Sequence, residues 1–307
     1  MNELIVYCDG GFGNRFNALV SGLLLARRTG RRARFVWPVN NWCGAAFGDL
    51  FDMDLPVVER ELATFVAERD RHTYLMVEDR LGLSGGQASG YTNPMQMPSW
   101  QALEAFFHAA RAPVFYYTAL VPGFISETEV LSQVRQLRFR PGLVARAEHF
   151  LASQGLGASG AAFVGIQIRK TDFGTRGADD ATLFDIVRAK ENHRFFVCSD
   201  DAEVERRFAQ LPNVVIHRKR AHVEKLVEGG WSAQTTDHSG RLYPFNVNRS
   251  AASVEDALVD LLILSCSTIV NTSGSTFLQT AMRIQASGLR AHRAEAASRP
   301  SLAAVGA

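Results

Sequence analysis

Three features of the sequence predict an α/β fold made of two Rossmann-like halves. Apolar runs of strand length alternate with longer runs of helical spacing, and they do so in both halves of the chain. A glycine-rich turn, Asp9-Gly10-Gly11-Phe12-Gly13-Asn14-Arg15, separates a first strand from a first helix. A later apolar run, Phe163 to Ile168, ends in the polar cluster Gln167, Arg169, Lys170, Thr171 and Asp172.

The bulk properties agree. A chain of 307 residues has room for two domains of about 150 residues each. With 47% hydrophobic and 10% aromatic residues it can fill two cores. Thirty-three basic against 31 acidic residues leave a formal charge of +2, which argues against a nucleic-acid partner while leaving room for a local basic pocket. Cys8, Cys43, Cys198 and Cys266 lack paired metal-ligand spacing, and three of them lie in or beside apolar runs, as buried reduced thiols do. The start MNELIVYCDGGFGNRF has no basic, then long apolar, secretion pattern, and no run approaches the roughly 18 apolar residues of a spanning helix. The expectation is a cytoplasmic protein with no transmembrane segment.

Taken in order, Leu4 to Tyr7 read as a strand, and Phe16, Leu19, Val20, Leu23 and Leu24 recur at helical spacing until Arg27, Arg28 and Gly30 close the helix. Arg34 to Trp37 read as the next strand, stopped by Pro38. Glycines let backbone amides approach a ligand, and a helix start adds partial positive charge. The turn also reads as a plain structural turn; Asn14 and Arg15 at the helix start favour the ligand. It is neither a phosphate-binding loop with Gly-Lys-Ser/Thr nor a dinucleotide fingerprint.

Leu81 to Pro98, rich in Gly, Ser, Asn and Pro, reads as a loop or lid, with Met95, Met97 and Trp100 lining an acceptor groove or simply packing. Val114 to Leu120 read as a strand. A boundary falls near Leu137 to Pro141, giving domains 1–137 and 138–290 and a weakly ordered tail, 291–307. A helix follows on Leu143, Val144, Ala147, Phe150 and Leu151, and then the strand ending at Arg169. A guanidinium at such an edge forks onto a phosphate or carboxylate, or pairs locally with Asp172.

Arg194 to Cys198 form another strand, and Ser199-Asp200-Asp201 at its end either cap the next helix or bind a ligand. Val204 and Phe208 lie on that helix, and Val214 to Ile216 return as a strand. Between His217 and Arg249 the basic residues Lys219, Arg220, His222, Lys225, Arg241 and Arg249 either neutralise phosphates or stay solvated. Ser253 and Asp256 read as a capping box before the stripe Val254, Ala257, Leu258, Leu261 and Leu262. Thr268 to Val270 form a strand that runs into Asn271-Thr272-Ser273-Gly274-Ser275-Thr276 and a helix near Phe277. Small hydroxyl residues before a helix start suit a pyrophosphate, or a serine cap, or both.

Four segments, GGFGNRFNAL from Gly10, GIQIRKTD from Gly165, CSDD from Cys198 and SVEDALVDLLILSCSTIVNTSGSTF from Ser253, together resemble the fucosyltransferase superfamily. That superfamily includes the rhizobial nodulation and core α-1,6-fucosyltransferases and the protein O-fucosyltransferases. The resemblance runs in order from residue 10 to about residue 280, and it implies a GT-B fold, two Rossmann-like domains facing a cleft. It further implies a GDP-fucose donor held mainly by the second domain, and a glycan or glycoconjugate acceptor held mainly by the first. By the same resemblance, Arg169 binds the β-phosphate and stabilises the leaving GDP, and Asp172 closes its motif. Asp200 aids nucleoside recognition, Ser273, Gly274, Ser275 and Thr276 form the phosphate loop, and Asn14 faces the donor across the cleft beside Gly11, Gly13 and Arg15. Relatives usually carry His where Gln167 stands here; Gln can hydrogen-bond a base or ribose but cannot be a cation.

Glycosyl transfer builds positive charge on the sugar and negative charge on the departing diphosphate, so a positioned guanidinium and helix-start amides suit it without a metal cofactor. Asp172 and Asp9 are the candidates for the base, each with a bracing role as the alternative. The same residues also fit a transferase using another nucleotide sugar, or a non-catalytic nucleotide- or glycan-binding relative.

Overall fold

The computed structural model describes residues 3–58, 100–109, 113–117, 121–157, 160–170, 179–226, 235–236, 242–243, 247–270, 272 and 274–289. In the first half, β1 (Glu3–Tyr7), α1 (Phe12–Thr29) and β2 (Arg32–Val36) follow one another as expected, and α2 (Phe47–Leu50), β3 (Val57–Val58), α3 (Trp100–Ala109) and β4 (Val114–Tyr117) complete it. The expected lid at Leu81 to Pro98, with Met95 and Met97, lies outside the described residues, as does the tail 291–307. Two connecting helices come next, α4 (Glu127–Arg135) and α5 (Pro141–Ser153). Their starts are chemically marked: Ser126 and Glu129 cap α4 reciprocally, and Pro141 opens α5.

The second half runs β5 (Val164–Ile168), α6 (Asp180–Ala189), β6 (Phe195–Ser199), α7 (Ala202–Phe208) and β7 (Val214–Val215). The short strands β8 (Glu224–Lys225), β9 (Thr235–Thr236), β10 (Leu242–Tyr243) and β11 (Val247–Asn248) precede α8 (Ala251–Leu264), β12 (Thr268–Val270) and α9 (Thr276–Ser287).

Two four-stranded sheets result, in the orders β3-β2-β1-β4 and β12-β5-β6-β7. Every pairing in them is parallel. In each sheet the chain first walks outward to one side and then returns to the far side of its first strand. Such a reversal leaves a crevice at the carboxyl ends of the two strands that flank it, and ligands of doubly wound sheets gather there. The reversals fall between β1 and β4 and between β5 and β12, where the Gly10 turn and the Arg169 cluster lie.

Side-chain alternation assigns the faces of the second sheet. Ile166, Ile168, Phe195 and Val197 pack with Leu183 and Val187 of α6 and with Val204 and Phe208 of α7. Phe196 and Cys198 point the other way, into a core shared with Leu258, Leu261 and Ile263 of α8, Leu278 and Ile284 of α9, and Leu4, Val6, Phe16 and Leu19 of the first half. One apolar interior thus runs from the first sheet into the second. Helix α9 packs on α1 and α4, and α5 packs on α8. Arg283 of α9 adds hydrogen bonds to Asn17 of α1 at 2.9 Å and Glu127 of α4 at 3.0 Å.

The capping box expected at Ser253 does not form. Helix α8 starts earlier, at Ala251, with Ser250 accepting from the Ser253 amide at 3.2 Å. Asp256 instead lies fully buried, where it accepts from Arg146 and, at 3.0 Å, from Arg220 Nε. Desolvation favours its neutral form, but the hydrogen bonds from Arg146 and Arg220 outweigh it and hold the carboxyl below its ordinary pKa. The four cysteines are free thiols, with Cys8, Cys43 and Cys198 buried and Cys266 half-buried. Burial pushes the Cys8 thiol up to about 12, against the opposing pull of Arg15.

Candidate functional site

The site is assembled by two helix starts that meet. Helix α1 is capped by Gly11 with no side-chain hydrogen bond, and a Cβ on Gly11 would point into open space. Its first-turn amides are therefore not covered by a capping side chain. Helix α9 is capped by Ser275, whose hydroxyl accepts from the Leu278 amide at 3.2 Å. The two starts touch: the Thr276 hydroxyl donates to Asn14 Oδ1 at 2.8 Å, across 262 residues of chain. Both partial positive ends therefore converge at one place.

Gly13 makes the approach possible. A Cβ there would lie 2.6 Å from the Thr276 carbonyl carbon and 2.7 Å from the Phe277 nitrogen. Gly13→Ala must therefore push the helix starts apart. The expected cost is about 1–3 kcal/mol, the usual range for an overpacked contact, read as a lowered midpoint in urea denaturation. An unchanged midpoint would show that the contact yields freely.

Strand β5 feeds the same place. Gln167 is 7% exposed and alternates onto the face opposite Ile166 and Ile168. There the Ser275 hydroxyl donates to its Oε1 at 2.9 Å, and the Thr272 hydroxyl donates to its backbone carbonyl at 2.6 Å. Gln167 thus fastens the loop before α9, a role that the expected base or ribose contact did not include. Gly274, exposed at the crest of that loop, takes φ +60°, a left-handed turn suited to glycine.

Arg169 follows directly, half-buried at the carboxyl end of β5. Register places Ile168 beside Ser199, so the chain beyond each strand runs together: Asp200 Oδ1 accepts from the Lys170 amide at 2.7 Å. Lys170 itself turns away to Asp180 at 2.6 Å, and that hydrogen bond holds the Asp180 carboxyl below its ordinary range. Asp201, not Asp200, caps α7. Asp172 and Ser273 lie outside the described residues. The structure therefore gathers Gly11, Gly13, Asn14, Gln167, Gly274, Ser275 and Thr276 around the two helix starts, with Arg169 two residues beyond Gln167 at the end of β5 and Asp200 at the end of the neighbouring strand.

Arg15 is the exception. Its side chain is fully buried, donating to the Gly10 carbonyl at 2.7 Å, the Pro38 carbonyl at 2.6 Å and Asn40 Oδ1 at 2.9 Å. It lies 3.9 Å from Asp9 and over the Trp37 ring at 5.2 Å. Arg15 has no surface to offer a ligand; it braces the turn from behind. Asp9, 4% exposed and hydrogen-bonded by Asn40 at 3.3 Å, belongs to the same brace.

The basic stretch after β7 splits. Lys219 is buried against Glu205 and Asp260, a place neither expectation covered, whereas Arg220 and Lys225 are exposed to solvent, Arg220 pairing there with Glu255 and Asp256; Arg241 lies outside the described residues. One further motif escaped the sequence reading: Asp52-Met53-Asp54 is an Asp-x-Asp triplet. It follows α2, both carboxylates are exposed, and its backbone is tied to Arg138, whose carbonyl accepts from the Asp52 amide at 2.8 Å. Among the described residues, no three or more His, Cys, Asp or Glu side chains are grouped so as to hold a metal ion, and no described helix is long and apolar enough to cross a membrane.

Neither protein-family models nor curated protein sequences give a match to this chain. Solved structures do. The α-1,6-fucosyltransferase NodZ co-crystallised with GDP superposes with a TM-score of 0.57 at 17% identity, covering 92% of this chain and 91% of that one. The fucosyltransferase NodZ from Bradyrhizobium gives 0.56 at 16%, with 92% of each chain covered. POFUT1 in complex with GDP-fucose gives 0.50 at 14%, covering 92% and 94%. Over 92% of its length the chain has the GT-B fold of the fucosyltransferases NodZ and POFUT1.

Proposed function

We propose that this protein is an inverting, metal-independent glycosyltransferase that moves fucose from GDP-fucose to a hydroxyl of a glycan or glycoconjugate. The observation that carries the reading is the junction of α1 and α9 through Asn14 and Thr276, tied by Ser275 to Gln167 near the end of β5, two residues before Arg169. Solved structures of the same fold hold GDP and GDP-fucose, which supports a guanine nucleotide as the ligand.

In this reading residues 138–290 hold the donor and residues 1–137 the acceptor. Helix-start amides and Arg169 hold the diphosphate. The acceptor oxygen attacks the anomeric carbon of fucose on the face opposite the diphosphate. The bond from that carbon to the β-phosphate oxygen breaks, and its electron pair stays on the phosphate, where positive dipoles and a guanidinium are already aimed. The acceptor proton passes to a base, for which Asp172 is the candidate now that Asp9 is committed to Arg15. Ser273 joins Ser275 and Thr276 in the phosphate loop. Gln167 acts by holding that loop, and Asp200 contributes on the nucleoside side.

The test is a thermal-shift titration with GDP, UDP, ADP and CMP, with and without EDTA. At about 100 times Kd a ligand specific to the native state stabilises it by about 2.7 kcal/mol, a shift of several degrees. GDP alone should give that shift, unaffected by EDTA. A shift with UDP alone would replace the donor with another nucleotide sugar, and no shift with any nucleotide would sink the transferase reading.

A further inference from the structure

A cluster of buried charges in the second half lies beside this site and has no part in the chemistry above. It surrounds the backbone of one residue of β6, Ser199. The Ser199 amide donates to Glu205 Oε1 at 2.9 Å, and the Ser199 carbonyl accepts from Lys219 Nζ at 2.5 Å. Lys219 is paired with Glu205 and, at 2.9 Å, with Asp260. Side-chain exposures of 5% for Lys219, 7% for Glu205 and 3% for Asp260 put all three charges inside the protein. His217 Nδ1 meets Asp260 and His222 Nε2 meets Glu205, each at 2.9 Å. Burial disfavours a charged Lys219, but Asp260 and then Glu205 override it and raise its pKa well above the ordinary lysine value.

Packing alone does not account for this arrangement. Apolar side chains of similar volume generally fill such a space as well as buried ion pairs do, or better. What the charges add is direction: Glu205 arrives from α7, Lys219 from the chain beyond β7, and Asp260 from α8. The first two grip the donor and the acceptor of a single residue, and Asp260 holds Lys219 in place. The next residue is Asp200, whose carboxylate receives the Lys170 amide at 2.7 Å and so fixes the chain leaving Arg169.

We propose that Glu205 and Lys219 form a positioning clamp that fixes the Ser199 backbone from both sides, and through Asp200 and the Lys170 amide keeps the Arg169 segment in register with the site. Neither clamp residue touches the reacting atoms. The mechanical part of the proposal stands on the geometry alone; its effect on ligand binding rests on the nucleotide-site reading above.

The experiment uses the full chain carrying Lys219→Met, and the double variant Lys219→Met/Glu205→Gln. The double variant removes one positive and one negative charge together, which spares the interior an excess carboxylate. Peptide-level hydrogen exchange is followed over residues 164–170 and 196–202, with GDP affinity measured in parallel well below the melting temperature. The expected result is faster exchange confined to those two segments, with GDP binding weakened about tenfold or more, as for a misplaced binding group. A merely structural role would speed exchange across the whole second sheet and leave low-temperature affinity unchanged, and that outcome overturns the proposal. So does unchanged exchange in the two segments of the double variant. If the unmodified protein fails to bind GDP, the nucleotide reading falls, and the exchange data still decide the clamp.

Discussion

Arg169→Ala is expected to lower turnover of the sugar-nucleotide donor by about 10²–10³-fold, the loss typical when one preorganised donor to a developing negative charge is removed. The residue sits where the second sheet reverses direction, directly after Gln167 and Ile168, and its segment is tied down by the Lys170 amide on Asp200. Its position at the end of a strand anchors its backbone on one side, which limits the reorganisation left for the reacting state to require. The loss should fall mainly on kcat, because the charge it meets grows as the glycosidic bond breaks, with a smaller rise in KM, because Arg169 also holds the diphosphate of the bound donor. Arg169→Lys should recover only part of the rate, since an ammonium lacks the planar fork that grips two phosphate oxygens. The assay is release of GDP from GDP-fucose with and without acceptor; near-normal turnover in the alanine variant would remove Arg169 from the mechanism.

Arg15→Met should instead act on stability. The substitution leaves Asp9, 4% exposed, without its cation, and leaves the Gly10 and Pro38 carbonyls and Asn40 without their donor. Breaking a buried pair from one side costs about 3–5 kcal/mol, which urea denaturation would register as a lower midpoint with an unchanged slope. A residue that touched the donor would raise KM and spare the midpoint, so the two measurements separate bracing from binding.

The sequence carried the elements better than their partners. Strand β1, the Gly10 turn and α1 could be read because each is defined by neighbours along the chain: an apolar run, then glycines, then helical spacing ended by Gly30. Strand β12 and the start of α9 were legible for the same reason. What sequence patterns do not encode is which strand returns beside which. The placement of β12 next to β5 turns the Arg169 cluster into a crevice, and it joins residues 164–166 to residues 268–270.

The misread side chains share that cause. Asp256 sits three residues after Ser253, so local spacing favours a capping box, while its actual partners, Arg146 and Arg220, lie 110 and 36 residues away. Arg15 stands next to Asn14, but α1 turns the two apart: Asn14 meets Thr276 and Arg15 points into the first half. Gln167 was not misread, but it carries a further bond that no local spacing signals, to Ser275 Oγ, 108 residues away.

The interior that runs unbroken from Leu4 and Phe16 to Leu258, Ile263 and Leu278 bears on how such a protein can be recombined. Two halves with separate interiors could be exchanged like cassettes between transferases of different donor and acceptor preference. Here α9 contributes its first turn to one face of the cleft and its apolar side to the helices of the opposite half. A transplanted second half would carry α9 away from its seat on α1 and α4, leave Leu278, Ala281 and Ile284 open to water, and lose the Asn14 partner that sets the cleft. The two halves are therefore not interchangeable parts, whereas the loops around the fixed interior can change without opening it.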